Sequence, residues 1–199
     1  MGFINKLSRQ LRRQAFGVPS GLLGRIGGRI MAGQRQRRIA NHIADLLDVR
    51  PGDKVLEIGF GPGVGIQCIN ERLAGQGLIV GIDPSEVMLH MAGTRNAQAI
   101  ENGTVSLLNG IVEKIPFERE FFDKAYSMNS FQIWPDKLAG LREIHRVQKD
   151  EGQLVLSFYG PAKRAITPES MGEQLARAGF REISDTVDED SVLYVVSRK

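Results

Sequence analysis

The sequence predicts an α/β fold in which a mostly parallel sheet is covered by helices on both faces. The first supporting observation is a β-branched, apolar run over 55–58 that leads directly into the glycine-rich segment 59–63. The second is the alternation of further apolar runs with segments of helical periodicity. The third is the stretch 180–197, which has the pattern of a closing hairpin.

The elements follow from hydrophobic periodicity and from the turn residues between the apolar runs. Five strands and five helices precede the hairpin. The strands are predicted at 54–58, 78–83, 105–109, 122–128 and 153–159, and the helices near 39–47, 64–73, 85–98, 138–147 and 168–178.

Length and composition indicate one soluble domain with an added arm. The chain has 199 residues, of which 42% are hydrophobic and 25% charged, and these fractions are ordinary for a globular protein. We expect residues 50–199 to form the α/β domain and residues 1–49 a basic helical arm or lid packed on it. The sequence predicts no membrane-spanning helix and no metal site. The single cysteine, Cys68, favours the cytoplasm, with the inner membrane surface as a peripheral alternative.

The arm carries a lopsided charge. Residues 1–44 hold nine basic residues and no acidic ones, and because the whole chain carries +3, the remainder carries −6. Phe3, Ile4, Leu7 and Leu11 recur at helical spacing and predict a basic amphipathic helix. This helix is interpreted as docked on the domain, as a lid over the site, or as an anchor on anionic lipid. Nucleic acid is disfavoured as a partner, because no aromatic residues are interleaved with the basic ones.

The glycine-rich segment predicts a ligand site at the carboxyl edge of the sheet. A dinucleotide fingerprint would need a third glycine at position 64 or 66, where Val64 and Ile66 stand. The chain instead has an acid, Glu57, followed by glycines at alternate positions 59, 61 and 63. Because an unpartnered buried carboxylate is costly, Glu57 is expected to meet a cation or several hydrogen-bond donors.

A second acid ends the next predicted strand. Asp83 lies 24 residues after Gly59, close to the spacing of about 20 residues expected for a carboxylate that binds a ribose diol. The alternative is that Asp83 begins a turn before Pro84 and caps the following helix. Its pairing with the glycine loop favours the ribose interpretation.

The acid and alternating glycines together resemble motif I of the class I S-adenosylmethionine (SAM) dependent methyltransferases of small-molecule type. A second resemblance is the segment 110–117, which ends in Pro116-Phe117 and is followed by Phe122-Asp123. The resemblance covers about residue 50 to the end. It implies a Rossmann-like seven-stranded sheet of order 3-2-1-4-5-7-6 with the last strand antiparallel. It also implies SAM as cofactor and S-adenosylhomocysteine (SAH) as product.

The same resemblance implies the site residues. The family's adenine-binding acid falls on Ile111, so adenine is expected against apolar side chains and the Val112 main chain. The acceptor is expected beside a polar loop, although Trp134 has the alternative of packing against the amino-terminal helices. The implied cofactor residues are Glu57, Gly59, Phe60, Gly61, Gly63, Asp83, Pro84, Met88, Ile111, Val112 and Asn129, and the implied acceptor residues are Gln132, Trp134 and Tyr159. No residue is assigned as a general base.

The predicted function is therefore methyl transfer from SAM to a small-molecule or lipid-like acceptor. The acceptor is either a lipid reached through the arm or a soluble molecule beneath it. A non-catalytic SAM-binding or scaffolding protein of the same fold is the alternative. An NAD-dependent oxidoreductase is disfavoured by Val64. The sequence leaves the oligomeric state open.

Overall fold

The computed structural model describes residues 33–199, which form a seven-stranded sheet with helices on both faces. The strands are β1 (Lys54–Ile58), β2 (Leu78–Asp83), β3 (Val105–Asn109), β4 (Phe122–Met128), β5 (Gln148–Phe158), β6 (Arg181–Val187) and β7 (Leu193–Arg198). The helices are α1 (Gln34–Leu46), α2 (Val64–Leu73), α3 (Glu86–Arg95), α4 (Ala97–Glu101), α5 (Lys137–Val147), α6 (Pro161–Arg164) and α7 (Pro168–Ala178), and a 3₁₀ turn covers Phe131–Ile133.

The sheet order is β3-β2-β1-β4-β5-β7-β6, which confirms the predicted Rossmann-like topology. Strands β1 to β5 pair in parallel, and β7 runs antiparallel to both of its neighbours. The order reverses between β1 and β4, because β2 and β3 extend one way and β4 and β5 the other. Ligands of such sheets bind at this switch point, beyond the carboxyl ends of the strands.

Each face of the sheet has its own hydrophobic core. One core joins α5 and α7 to side chains such as Leu56 and Leu154, and the other joins α1, α2 and α3 to side chains such as Val55 and Val155. Successive residues of a strand point to opposite faces, so the near-continuous apolar runs in the sequence reflect burial on both sides.

Three predicted elements differ from the structure. The helix expected near 39–47 begins five residues earlier, at Gln34. The helix expected over 85–98 is divided at Asn96, whose φ of −108° and ψ of 19° leave the helical region. Strand β5 begins five residues earlier than expected. Phe122 pairs with Gln148 whereas Lys124 pairs with Gln153, so residues 149–152 form an irregularity within the strand rather than a turn before it.

Helix α1 belongs to the predicted arm and packs on the domain. Ile39 and Ile43 are buried with β1 and α2 in the same core. The predicted amphipathic helix containing Phe3 and Leu11 lies outside the described residues. Within residues 33–199, none of the helices combines the length and hydrophobicity needed to span a bilayer.

Candidate active site

The glycine loop connects β1 to α2 at the switch point. Gly61 has a φ of +51°, and a Cβ built on it would meet no atom within 4 Å. Gly63 has a φ of +80°, and its Cβ would lie 2.7 Å from the Cβ of Ala92 and 2.9 Å from its Cα. Residues other than glycine rarely adopt such φ values. Gly63 is therefore required by the packing of α2 on α3, whereas Gly61 leaves open space beside the loop.

Asp83 is bonded to the glycine loop. Its Oδ2 accepts a hydrogen bond from the Gly61 N–H at 3.0 Å, and its Oδ1 accepts one from the Ser85 N–H at 2.9 Å. Burial raises the pKa of Asp83, and these two bonds act in the opposite direction. The helix cap is Ser85, whose Oγ accepts from the Met88 N–H, so Asp83 is not the cap residue of α3. Each carboxylate oxygen of Asp83 can accept a further hydrogen bond.

Glu57 is enclosed between β1 and the first turn of α2. Its side chain is 0% exposed, and its Oε2 accepts a hydrogen bond from the Tyr126 hydroxyl at 2.7 Å. Its Oε1 has no hydrogen-bond partner of normal geometry among the described residues and would lie 2.5 Å from a Cβ at Gly65. No ion pair of Glu57 is found in residues 33–199, so the described residues supply one donor of normal geometry instead of the expected cation or group of donors.

The apolar residues predicted around adenine point in different directions. Ile111 is 47% exposed, whereas Val112 is buried against Trp134 and Gly140. Met88 is buried in the core on the other face of the sheet, and Phe60 packs against Gly81 in that core. Pro84 is exposed at the end of β2. Of these five described side chains, Ile111 and Pro84 are the two with exposed surface.

The segment after β4 is held by a buried serine. The Ser130 Oγ donates to the Ile58 carbonyl at 2.8 Å, shares a bond of 2.7 Å with Ser127 Oγ, and accepts from the Trp134 indole N–H at 3.2 Å. Trp134 is only 6% exposed and packs near Phe131 and Gly140. Ser130 thus fixes the acceptor-side loop to the end of β1, beside the glycine loop.

Asn129 and Gln132 present polar groups in that loop. Asn129 has a φ of +55°, and its Oδ1 accepts from the Tyr159 backbone N–H at 3.0 Å. The Gln132 Nε2 donates to the Asn129 carbonyl at 2.6 Å. Because that carbonyl only accepts, the amide orientation is fixed, and the buried Oε1 of Gln132 has no hydrogen-bond partner among the described residues.

Tyr159 follows β5 at the same edge and contacts the start of α1. The Arg35 guanidinium lies 4.9 Å from the Tyr159 ring centroid and donates to the Asp190 carbonyl at 3.0 Å. Burial raises the pKa of Tyr159, while a hydrogen bond from Gln36 and the charge of Arg35 oppose the shift. The Tyr159 phenol therefore stays protonated near neutral pH and suits hydrogen bonding rather than proton abstraction.

Neither histidines nor metal ligands accompany this edge. His42 packs against Tyr194, His90 is exposed on α3, and His145 packs against Phe180. No cluster of metal-binding side chains occurs in the part of the chain that the structure describes. A polar cavity of about 190 Å³ lies at the opposite, amino edge of β4. There Lys149 and Asp123 pair with each other at 2.6 Å.

Comparisons with known proteins identify the family. The sequence pattern of a methyltransferase domain family matches residues 56–156, which is half of the chain. YdaC of Bacillus subtilis (strain 168), an uncharacterized methyltransferase, is 34% identical over 165 residues, which cover 79% of this chain and 87% of that protein. The chain belongs to the methyltransferase-domain family.

Solved structures of other methyltransferases share the fold of this methyltransferase. The crystal structure of a SAM dependent methyltransferase from Aquifex aeolicus superposes with a TM-score of 0.77 and 18% identity, covering 87% of this chain and 97% of that one. Phosphoethanolamine N-methyltransferase 2 of Haemonchus contortus, solved in complex with SAM, has a TM-score of 0.69 and 16% identity, with 84% and 53% covered. At these identities the likeness is one of fold. The family assignment makes this chain a SAM-dependent methyltransferase.

One relative has a named acceptor. Demethylmenaquinone methyltransferase of Bacillus cereus is 30% identical to this methyltransferase over 126 residues. The match covers 63% of this chain and 53% of that enzyme. Just over half of that enzyme is therefore represented here.

The geometry of the methyltransferase's loop suits SAM. The open space beside Gly61 leaves room for a ligand against the backbone, and Asp83 retains acceptor capacity suited to a sugar diol. The Oε1 of Glu57 has no hydrogen-bond partner of normal geometry and the carboxyl has no paired cation among the described residues, so a buried acceptor is left for a cationic group. These features fit a nucleoside that carries an ammonium group.

Sequence reasoning did not single out three residues that contact the candidate site residues or their loop: Tyr126, Ser130 and Arg35. Tyr126 lies opposite Glu57 in the parallel register of β1 and β4, and that register cannot be derived from hydrophobic periodicity. A tyrosine hydroxyl inside an otherwise buried strand was the available signal, because such a group needs a partner. Ser130 and Arg35 carried no comparable signal.

The buried carboxyl of Glu57 should make the free energy of unfolding depend on pH. Burial raises its pKa from an ordinary value of 4.5 to about 8, while bonds from the Tyr126 hydroxyl and the Ile66 N–H act in the opposite direction. Between these values the folded protein holds a proton that the unfolded chain has released, so the free energy of unfolding falls as pH rises from about 4.5 to about 8. We expect Glu57→Gln to remove this decline, which is on the order of a few kcal/mol. Urea unfolding at pH 5 to 9 measures it, and parallel curves for the two proteins would contradict it.

Proposed function

We propose that this SAM-dependent methyltransferase methylates a lipid-like small molecule, with the cofactor held between the glycine loop and Asp83. The observation that carries the cofactor assignment is the bond between the Asp83 carboxylate and the Gly61 N–H, beside open space. This bond joins the ends of β1 and β2 at the switch point, where nucleotide-like ligands bind.

In this proposal Asp83 accepts hydrogen bonds from the ribose diol. Gly59, Gly61 and Gly63 bring the backbone close to the methionine part, and Glu57 faces its ammonium group from below the loop. Ile111, Pro84 and the Val112 main chain border adenine, whereas Met88 and Phe60 support the site from the core. Asn129 fixes the ends of β4 and β5 at the methionine side. When bound, SAM supplies a methyl group activated by a sulfonium.

The chain's own contribution is mainly to position donor and acceptor. Holding reacting atoms at roughly 3–3.5 Å in the right orientation supplies much of the acceleration of such a transfer. The Oε1 of Gln132 offers a hydrogen-bond acceptor, and the Tyr159 hydroxyl adds a second polar group. Trp134 supports the acceptor side of the site from its buried position, because its indole N–H donates a hydrogen bond to the Ser130 Oγ. An amine acceptor, or one that loses its proton readily, needs no general base from the protein.

Three observations support a lipid-like acceptor. Ile111 and Ile133 are exposed apolar side chains that follow β3 and β4 at the carboxyl edge of the sheet. The relative from Bacillus cereus is named for demethylmenaquinone, an apolar quinone. The segment that precedes α1 is basic and has apolar residues at helical spacing. The reduced, quinol form of a quinone-like ring, whose electron-rich ring carbon attacks the sulfonium methyl and then loses its proton, is therefore the acceptor chemistry that we propose first.

The test has two stages. Adding SAM, SAH and NAD separately should raise the thermal midpoint with SAM and SAH and leave it unchanged with NAD, because a ligand of the native state stabilises it. Labelled SAM is then supplied with vesicles that contain demethylmenaquinone kept reduced to its quinol by dithionite, with vesicles that contain phosphatidylethanolamine, or with soluble amines. Label extracted with the quinone supports the proposal, and label only in the water phase contradicts a lipid-like acceptor.

Membrane contact through residues 1–32 is a separate prediction. This segment has six basic residues and no acidic one, and each basic residue near an anionic surface contributes about 1 kcal/mol to binding. We expect the protein to float with anionic vesicles in a density gradient and to stay behind with neutral ones. Replacing Lys6, Arg9, Arg12 and Arg13 by glutamine should abolish flotation without changing the thermal midpoint. Equal flotation of both proteins would show that these four residues do not make the contact, and no flotation of the unmodified protein with anionic vesicles would contradict the membrane role.

A further inference from the structure

The buried carboxyl of Glu57 has a setting that the transfer reaction does not by itself explain. It is fully enclosed, and its hydrogen bond of normal geometry comes from Tyr126, at 2.7 Å. That hydroxyl is equally enclosed, on the strand directly opposite. The second oxygen, Oε1, lies against Gly65 in the first turn of α2, immediately behind the glycine loop.

Burial raises the pKa of Glu57 and outweighs the hydrogen bonds from the Tyr126 hydroxyl and the Ile66 N–H, which favour its ionised form. Tyr126 faces it from β4, Asp83 acts on it from β2, and Cys68 from α2. Burial raises the pKa of the Tyr126 phenol, and it raises that of the Cys68 thiol to about 11, so both stay neutral near pH 7. Asp83 adds a negative charge, and no Lys or Arg of the described residues pairs with Glu57. The carboxyl is therefore most stable as the neutral acid.

The Tyr126 bond determines which oxygen stays available. Because the hydroxyl donates to Oε2, the carboxyl is held in one orientation and Oε1 remains toward the helix turn. A cation placed on the other side of that turn would favour the ionised form of Glu57, since an opposite charge within about 4–6 Å lowers the pKa of a carboxyl. In residues 33–199, no Lys or Arg forms an ion pair with Glu57.

We propose that Glu57 carries its proton in the cofactor-free protein and releases it to solvent when the ammonium group of the cofactor binds above the glycine loop. Tyr126 is the positioning residue for this step. The O–H bond of the carboxyl breaks, a buffer base takes the proton, and the carboxylate remains as the counter-charge of the bound ammonium. The proposal rests on the proposed function, because it needs the methionine part to bind at this loop.

Because binding releases the proton of Glu57, the affinity for the cofactor should depend on pH. Burial brings the pKa of Glu57 to about 8, so at pH 7 the free protein holds the proton that binding must release. Affinity should therefore rise with pH up to about 8 and level off above it. Tyr126→Phe removes a donor that favours the carboxylate, so the levelling should move to higher pH.

The experiment is calorimetric titration with SAH, which carries the ammonium group and undergoes no turnover. At pH 7 the binding heat is measured in three buffers of different ionisation enthalpy, and its slope gives the protons released. We expect roughly 0.5–1 proton released by the unmodified protein and close to none by Glu57→Gln at the same pH. Thermal unfolding confirms that the variant is folded.

The outcomes separate this inference from the proposed function. Tight SAH binding with no proton release at pH 7 overturns the inference and leaves the cofactor site intact. The same release from Glu57→Gln assigns the proton to another group and also overturns it. If SAH does not bind the unmodified protein at all, the proposed cofactor site fails first. The pH profile of the unmodified protein tests the linkage even if the variant unfolds.

Discussion

Replacing Asp83 by alanine is expected to weaken SAH binding by roughly a hundredfold, because two charge-assisted hydrogen bonds to the ribose diol are lost. The substitution also removes the acceptor of the Gly61 N–H and of the Ser85 N–H. Both effects act on the same loop. The affinity for SAH should therefore fall strongly, while the free energy of unfolding changes less. Calorimetric titration gives the dissociation constant, and urea unfolding gives the stability.

The control for Asp83 is Asp185→Ala. Asp185 is exposed on β6, which is the edge strand at the opposite end of the sheet from β2 and β3. The Asp185→Ala variant loses the same negative charge as Asp83→Ala but leaves the loop unchanged. Its affinity for SAH should therefore match that of the unmodified protein. Equal affinity of Asp83→Ala and Asp185→Ala would show that Asp83 does not bind the ribose.

The glycine loop offers the second large effect. Gly63→Ala brings a Cβ to 2.7 Å from the Cβ of Ala92, at a φ of +80°. Forcing α2 away from α3 and holding alanine in this conformation should lower the free energy of unfolding by about 3 kcal/mol. Gly61→Ala meets no atom within 4 Å, so it should lower stability by only about 1 kcal/mol.

For SAH binding the order of the two glycine variants should reverse, with the larger effect expected from Gly61→Ala. The Cβ of Gly61→Ala projects into the open space where we place the ligand, and we expect at least a tenfold rise in the dissociation constant of SAH. Gly93→Ala is the matched control, because it lies in α3 with no atom within 4 Å and should leave binding unchanged. Unchanged affinity in Gly61→Ala would place the cofactor elsewhere.

The sequence predicted the elements that depend on local pattern. Strand β2, helix α2 and the loop between β1 and α2 have the predicted bounds, because apolar runs and glycines mark them directly. The sheet order was available only through the family resemblance and is confirmed. The division of the helix at Asn96 was missed, since its cause is tertiary: the Asn96 amide donates to the Gly63 and Ala92 carbonyls.

The site was less predictable than the fold. The alternation of glycines indicated a ligand loop, but it could not show that Gly63 is needed for packing on α3 while Gly61 is open. The opposition of Glu57 and Tyr126 depends on the register of two strands separated by more than 60 residues. Trp134 was expected beside the acceptor or against the amino-terminal helices, and its burial against Gly140 follows from the path of the loop after β4.

The crystal structure of the protein with SAH tests the central claim most directly. We predict that both ribose hydroxyls lie within hydrogen-bond distance of the Asp83 carboxylate, with the ligand's methionine part against the open side of Gly61. Density for SAH at another place, or a cleft beside Gly61 that stays without ligand at saturating SAH, would contradict the account.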